Sequence, residues 1–454
     1  MLRIFPKSLL INFGLTTVSY GVVQVLRLVN NVILARLLLP QLFGLMLIVN
    51  TLRTGVELLS DVGVSQNIVR SPRGDTPAFY DTAWTLQVLR GLVLGALCFF
   101  SSGVAARFFE NPQLATILPV VALFFIVTGF DSTGRALLYK RAQIGRLSAI
   151  EVILALAGLL IHVVLALITP TIWALILGSL FVSVVTLVSS FLCVPGLRHR
   201  FRLDRDVVVE MFQFGRWIFI SSIIYFAAMN FDRLYLAREI PLALLGVFGI
   251  ARSLSDTISS FVNRIGTVIL FPLVAQMEGS GNDVRLKLVK GRRVVLLGAA
   301  LGLAVFTSLS DVIVRVLYDA RYAQATEILP VLALGVWFVI IAGINDSILV
   351  GIGQPRPVAA ANAMKLACYV VGVPIALGQF GFNAAIMVFS AGEFVRYVTL
   401  WLLGRRAGIG FVRDDFVATI LFVVGVVVFR EGLAFVGLTS GMAGLFPTIA
   451  ALFA

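Results

Sequence analysis

Leu34-Ala-Arg-Leu-Leu-Leu-Pro-Gln-Leu-Phe-Gly44 is answered, 202 residues later, by Leu236-Ala-Arg-Glu-Ile-Pro-Leu-Ala-Leu-Leu-Gly246. Leu34, Ala35, Arg36 and Gly44 fall on Leu236, Ala237, Arg238 and Gly246. Each copy separates two long apolar runs, so each reads as a tight turn between membrane helices. A second echo follows. Ala115-Thr-Ile-Leu-Pro-Val-Val-Ala-Leu123 returns as Thr326-Glu-Ile-Leu-Pro-Val-Leu-Ala-Leu334, Phe130-Asp131-Ser132 as Asn345-Asp346-Ser347, and Arg141 as Arg356. One bundle has been built twice, in the same order and orientation. Transporters made of parallel halves place their substrate between them, so the repeat points to transport.

Composition agrees. Hydrophobic residues make up 59% and charged residues 13% of the 454, against about 45–50% and about 25% in a soluble domain. A mean hydropathy of +1.00 excludes a water-soluble core. The 40 glycines suit helices that approach closely in lipid. Cys98, Cys193 and Cys368 lie in apolar stretches without metal spacing and read as small hydrophobes. The start, with Arg3 and Lys7, has the charge of a signal peptide, but Asn12, Gln24 and Arg27 interrupt the apolar run that follows. An uncleaved first span is the expectation.

Runs of roughly 20 residues suffice to cross a bilayer. Twelve such runs extend from 10–35 to 383–404, among them 41–68, 113–136, 208–235 and 289–312. Two weaker ones, 415–430 and 434–452, close the chain. The expected architecture is all-α: a six-helix bundle at 1–197, a cytoplasmic linker at 198–207, a second bundle at 208–404 and one or two extra helices at 405–454, around a central cavity. With the N-terminus inside, the inner segments carry 21 basic residues, Arg70, Arg135 and Arg292 among them, and the outer turns 6, Arg36, Arg107, Arg238, Arg315, Arg321 and Arg430. This is the positive-inside bias. It explains most of the net charge of +13 without nucleic acid.

Nine cations remain within the spans: Arg27, Arg53, Arg90, Arg216, Arg233, Arg252, Arg264, Lys365 and Arg396. A charge at bilayer depth costs roughly 2.5–3.5 kcal/mol on insertion scales, so each is expected to face a wet interior or to pair internally. Arg53, Glu57 and Asp61 share one helical face, and Arg252 and Asp256 a similar stripe. Arg53 with Glu57, Arg252 with Asp256 and Arg396 with Glu393 read equally well as plain ion pairs that fix packing. Arg90, Arg216 and Lys365 have no acid three or four residues away. An excess of buried positive charge calls for an anionic, phosphate-bearing substrate. Arg53, Arg90, Arg252, Arg216, Lys365, Arg27 and Arg233 are therefore the candidate substrate-binding residues. Asp131 and Asp346 read as interface residues near basic loops.

Other chemistry is thin. Asp204-Arg-Asp206 has the form of a nucleotide-sugar metal site but reads as a solvated cluster. His162 and His199 are distant in sequence and imply no metal, so no metal site and no catalytic residue is expected. No phosphate loop or nucleophile elbow is present in the sequence.

The first repeat copy, followed by Leu59-Ser-Asp-Val-Gly-Val-Ser-Gln66, resembles the first two helices of bacterial oligosaccharide flippases. These form the polysaccharide transporter branch of the multidrug/oligosaccharidyl-lipid/polysaccharide exporter superfamily. Tyr139-Lys-Arg141 with Leu147 to Glu151, Asp232-Arg233, and Ile348-Leu-Val-Gly-Ile-Gly-Gln-Pro-Arg356 are similar to later family blocks. The resemblance runs over residues 8–405. It implies two six-helix bundles, alternating access, and a polyprenyl-pyrophosphate-linked oligosaccharide turned from the inner to the outer leaflet of the bacterial inner membrane. The product would serve capsule, O-antigen or exopolysaccharide assembly. It also implies no cofactor, coupling to a proton or sodium gradient, a polymerase and chain-length regulator as neighbours, and a monomer as the working unit. Glu57, Asp61, Asp256 and Glu393 are the candidate coupling acids.

Three other readings compete. A lipid-linked peptidoglycan precursor flippase would share fold and headgroup chemistry. A drug or metabolite exporter would favour the opposite charge balance. A membrane glycosyltransferase or polymerase would need larger soluble loops than this chain has, so a non-enzyme is expected.

Overall fold

The computed structural model describes residues 7–58, 60, 63–141, 143–275, 282–351, 354, 356–406 and 412–446. Its side-chain description leaves out 7–13, 15, 214–221, 224, 265–275, 282–288, 350, 351, 406 and 443. The described residues are helical throughout, apart from turns and short links. They group into two compact units, Met1–Phe226 with Arg233–Leu245, and Ala227–Asp232 with Gly246–Ala454.

The first half comprises α1 (Lys7–Leu37), α2 (Pro40–Leu58), α3 (Val64–Arg70), α4 (Pro77–Phe108), α5 (Gln113–Gly129), α6 (Gly134–Lys140), α7 (Ile144–Ile168) and α8 (Ile172–Leu192). The second comprises α9 (Arg205–Glu239), α10 (Leu242–Ala275), α11 (Asn282–Ser308), α12 (Ser310–Leu317), α13 (Ala325–Gly351), α14 (Arg356–Phe380), α15 (Phe382–Arg406), α16 (Val412–Phe435) and α17 (Gly441–Leu445). Among the described residues nine helices are long and apolar enough to cross a membrane, or eleven when each of two bent pairs counts as one span. The expected runs 41–68 and 208–235 lie on α2 with α3 and on α9.

Both repeat copies are the tight turns that the sequence indicates. Leu38-Leu39 separates α1 from α2, and Ile240-Pro241 separates α9 from α10. Leu34, Ala35, Leu236 and Ala237 are buried, while Arg36 and Arg238 are exposed. The second echo places Pro119 inside α5 and Pro330 inside α13.

Four expected spans need correction. The run 41–68 is two helices, with Gly63 at φ 66 in the left-handed region that glycine occupies without penalty. The run 113–136 bends by 50° between α5 and α6, and 289–312 lies on α11 and α12, which meet at 58°. The run 434–452 is not a span in its described part: α16 ends at Phe435, and only the five-residue α17 follows. Gly437 and Gly441 turn the chain there with φ of 79° and 70°.

In the first unit α1 packs on α7, α4 on α5, and α8 on α5 and α7. A Cβ on Gly91 would stand 2.7 Å from both Gly129 Cα and Phe125 O, so only glycine permits the α4–α5 approach. In the second unit α11 runs parallel to α16 over a core of Leu296, Ala300, Trp337, Ile341 and Phe422.

Candidate functional site

A helix that breaks in lipid leaves carbonyl groups without partners, which is tolerated only where other groups or a wet cavity satisfy them. In the first unit α4 performs that task for both breaks. Its Gln87 Nε2 donates to Asp131 O at 2.8 Å and Gly129 O at 3.2 Å, and Trp84 Nε1 donates to Phe130 O at 3.2 Å. One turn further on, Arg90 donates through NH2 to Glu57 O at 2.6 Å and through Nε to Ser60 Oγ at 3.0 Å. Lys140, at the end of α6, donates to Ile68 O and Ser71 O beyond α3, a cation at a helix C-terminus.

The space left by the two broken helices is a cavity of about 1000 Å³, walled by α2 to α7. Arg70, Arg90 and Arg135 contribute cations to it, and Glu57, Asp131 and Glu151 contribute acids. Gln66, Gln87, Thr54, Thr128 and Ser132 add neutral hydrogen-bonding groups, while Leu94, Phe125 and Tyr139 supply apolar and aromatic wall. Asp131 Oδ1 is buried without a hydrogen-bond partner. Guanidinium groups suit phosphate oxygens, and carboxylates with amides suit hydroxyl groups. Such a wall can hold a molecule with a charged and a polyhydroxylated part.

Behind the cavity, Ser132 Oγ is 2.8 Å from His199 Nε2, whose ring stacks on Trp84 at 5.2 Å. Burial pushes the His199 imidazole below its usual 6.5, and Asp81, 3.7 Å away, opposes that shift.

Among the described residues singled out in the sequence as binding candidates, only Arg90 lines this cavity, and among the described candidate acids only Glu57. Arg53 lies on a separate small cleft, 4.3 Å over the Phe124 ring, with its Nε without a hydrogen-bond partner. Arg27 is exposed on α1, and Arg233 is half-buried on α9. The side chain of Arg216 and the whole of Asp61 lie outside the described residues.

The second unit holds the rest, and holds them in pairs. Arg252 Nε lies 3.2 Å from Asp256 and 3.5 Å from Asp232. Lys365 has no acid on its own helix face but finds one on α15: its Nζ is 2.5 Å from Glu393 Oε1, with both side chains buried. Arg396 pairs with Asp346 and Asn362 rather than with Glu393. Asp346 is thus an internal partner and not a loop-facing residue. Lys365 and Glu393, as they stand, present no free charge to solvent.

Two arginines escaped the reading of intramembrane charge. Arg292 and Arg430, assigned by sequence to an inner loop and an outer turn, are the most deeply buried of the described arginines, each 0% exposed. Arg292 binds Asp415 at 2.5 Å and Asn345 at 2.9 Å. Arg430 binds Asp311 through two hydrogen bonds and the carbonyls of Ser308 and Gly441. They join α16 to the bundle near both of its ends. Arg70 and Arg135 were likewise counted as loop charges, and the helix breaks turn them into the cavity. The glycines at 63, 129 and 134 were the available signal. Asp204 accepts from the backbone of Asp206 and Val207, so the Asp-Arg-Asp cluster is the N-cap of α9.

A family model described as polysaccharide biosynthesis protein matches residues 33–327. Lipopolysaccharide biosynthesis protein WzxC of Escherichia coli (strain K12) is 28% identical over 68% of this chain. The match spans 62% of WzxC's own length. Succinoglycan biosynthesis transport protein ExoT of Rhizobium meliloti (strain 1021) is 24% identical over 77% of this chain and 70% of its own. Among solved structures, lipid II flippase MurJ in an inward closed conformation shares the fold, with a TM-score of 0.75 over 95% of both chains at 11% identity.

Proposed function

The chain belongs to the polysaccharide biosynthesis protein family, and from that premise we propose that it is a flippase for polyprenyl-pyrophosphate-linked oligosaccharide. It turns this substrate from the inner to the outer leaflet of the bacterial inner membrane by alternating access, with its N-terminus in the cytoplasm. It moves its substrate without making or breaking a bond in it. The observation that carries this reading is the cavity of the first unit, where Arg70, Arg90 and Arg135 stand beside Glu57, Asp131, Glu151, Gln66 and Gln87. The arginines suit the pyrophosphate, and the acids and amides suit the sugar hydroxyls. A proton or sodium gradient drives the cycle, and Glu57, which lines the cavity, is our candidate for the coupling acid. A polymerase and a chain-length regulator take up the product, and the flippase itself acts as a monomer.

The test is the leaflet distribution of lipid-linked oligosaccharide in the native host after loss of this gene. The substrate should accumulate on the cytoplasmic side, and wild type should restore it. Arg90→Gln should lower outward flux by roughly ten- to a hundredfold, the worth of one charge-assisted contact of about 1.5–3 kcal/mol. Normal export without the gene, with increased drug sensitivity, would instead identify an exporter of soluble compounds. Glu57→Gln should make flux independent of the gradient; unchanged gradient dependence would remove Glu57 from the coupling path.

A further inference from the structure

The basic segment between α8 and α9 is not a loose link. Every second N–H, those of Arg200, Arg202 and Asp204, donates to α4, to Asp81 Oδ1 at 3.2 Å, Thr85 Oγ1 at 3.0 Å and Thr82 Oγ1 at 3.1 Å, the alternation of an extended chain. His199 is enclosed by Trp84 stacked at 5.2 Å and by Tyr80 and Phe191, each edge-on at 5.8 Å. Its side chain is 1% exposed. Asp204 caps the next helix, so the segment is fixed at both ends.

In an extended chain alternate side chains share a face. Arg198, Arg200 and Arg202 therefore project together, and all three are exposed. Phe201 and Leu203, on the alternate set with His199, are 69% and 64% exposed. Asp204, 3.9 Å from Arg202, is the acid that pairs within the segment; Asp81 is buried beneath it.

We propose that Arg198–Leu203 is a fixed strap that docks on the anionic phospholipid headgroups of the leaflet it borders. Three features favour lipid over a soluble acidic protein. The strap follows the end of α8, a helix long and apolar enough to cross a membrane, and juxtamembrane basic residues are drawn to anionic leaflets. Exposed phenylalanine and leucine beside arginine match the boundary between headgroup and acyl chain. Guanidinium groups grip phosphate oxygens in pairs. The strap is also preorganised: the entropy of ordering it is already spent in folding, so little is lost on docking. Since His199 touches Ser132, a residue of the cavity wall, lipid held by the strap steadies that wall. Docking of the strap is independent of which molecule the cavity carries.

The test uses the full-length protein in nanodiscs of phosphatidylcholine, with or without phosphatidylglycerol, and amide hydrogen exchange over residues 198–205. Phosphatidylglycerol should slow exchange at Arg200, Arg202 and Asp204 by up to about a hundredfold, the order that three surface arginines supply. High salt should abolish the difference. Arg198→Gln, Arg200→Gln and Arg202→Gln together should exchange alike in both discs, while the three Lys replacements should keep the lipid response. Equal exchange of the wild type in both discs would overturn the proposal in favour of a soluble partner or none. So would an undiminished lipid response in the Gln variant.

Discussion

Where the first half of the chain breaks, the second half runs on. Helix α2 ends at Leu58 and Gly63 turns the chain, whereas α10 continues unbroken to Ala275. The residue 202 positions after Gly63 is Ile265. Helix α5 ends at Gly129 before Phe130-Asp131-Ser132, whereas α13 carries Asn345-Asp346-Ser347 within one helix to Gly351. There the residue before the motif is Ile344 instead of glycine. Gly63 occupies the left-handed region that a β-branched residue resists, and Gly129 lets the end of α5 approach Gly91 of α4, where a side chain would collide. The consequence is chemical. Asp131, released at a break, lines a cavity, while Asp346, kept in a helix, is taken up by Arg396. One ancestral pattern yields a cavity wall in one half and buried ion pairs in the other.

That contrast can be broken most forcefully in the second half. Asp311→Ala would leave the Arg430 guanidinium buried without its carboxylate. Uncompensated buried charge costs about 3–5 kcal/mol, and thermal denaturation in detergent should show a large loss. Adding Arg430→Met should recover part of it, because it removes the unpaired charge but also the donor to the carbonyls of Ser308 and Gly441. A double variant no more stable than Asp311→Ala would mean that Arg430 has a further role.

The packing behind the cavity offers a smaller effect. Gly91→Leu pushes a side chain into Gly129 and Phe125, whereas Gly298, on α11, has nothing within 4 Å of an added Cβ. Overpacking costs typically about 1–3 kcal/mol, so Gly91→Leu should lower thermal stability and Gly298→Ala should leave it unchanged. Equal effects would remove the distinction between the two surfaces.

The smallest effect is that of pH on the strap. Burial holds His199 below its usual 6.5, so near that pH the unfolded chain binds more protons than the folded one. The contribution of neutral His199 is complete above 6.5 and declines as pH falls below it. Protection factors over 198–205, taken relative to the intrinsic exchange rate at each pH, should fall on acidification in this window, and His199→Gln should flatten the response. A variant as pH-sensitive as the wild type would assign the effect to other groups.

The reading of charge failed in a consistent way. Lys365 has no acid a turn away in the sequence, yet Glu393 serves it from the neighbouring helix. Arg430 was placed at an outer turn because the apolar run ends there, yet Asp311 draws it into the interior. Arg90 was found because its position mid-span is a one-dimensional fact. Arg70 and Arg135 were missed because their place in the cavity depends on two bends.

Sequence by itself determined the membrane setting, the helical class, the twofold repeat and the turns that begin each half. These follow from the hydropathy and order of residues close together in the chain, where the cost of charge in lipid leaves few alternatives. Only the tertiary structure decided which cations line a cavity and which are consumed. Arg292 meets Asp415 from 123 positions away and Arg430 meets Asp311 from 119. Such pairings depend on which helices become neighbours, and no local spacing records that.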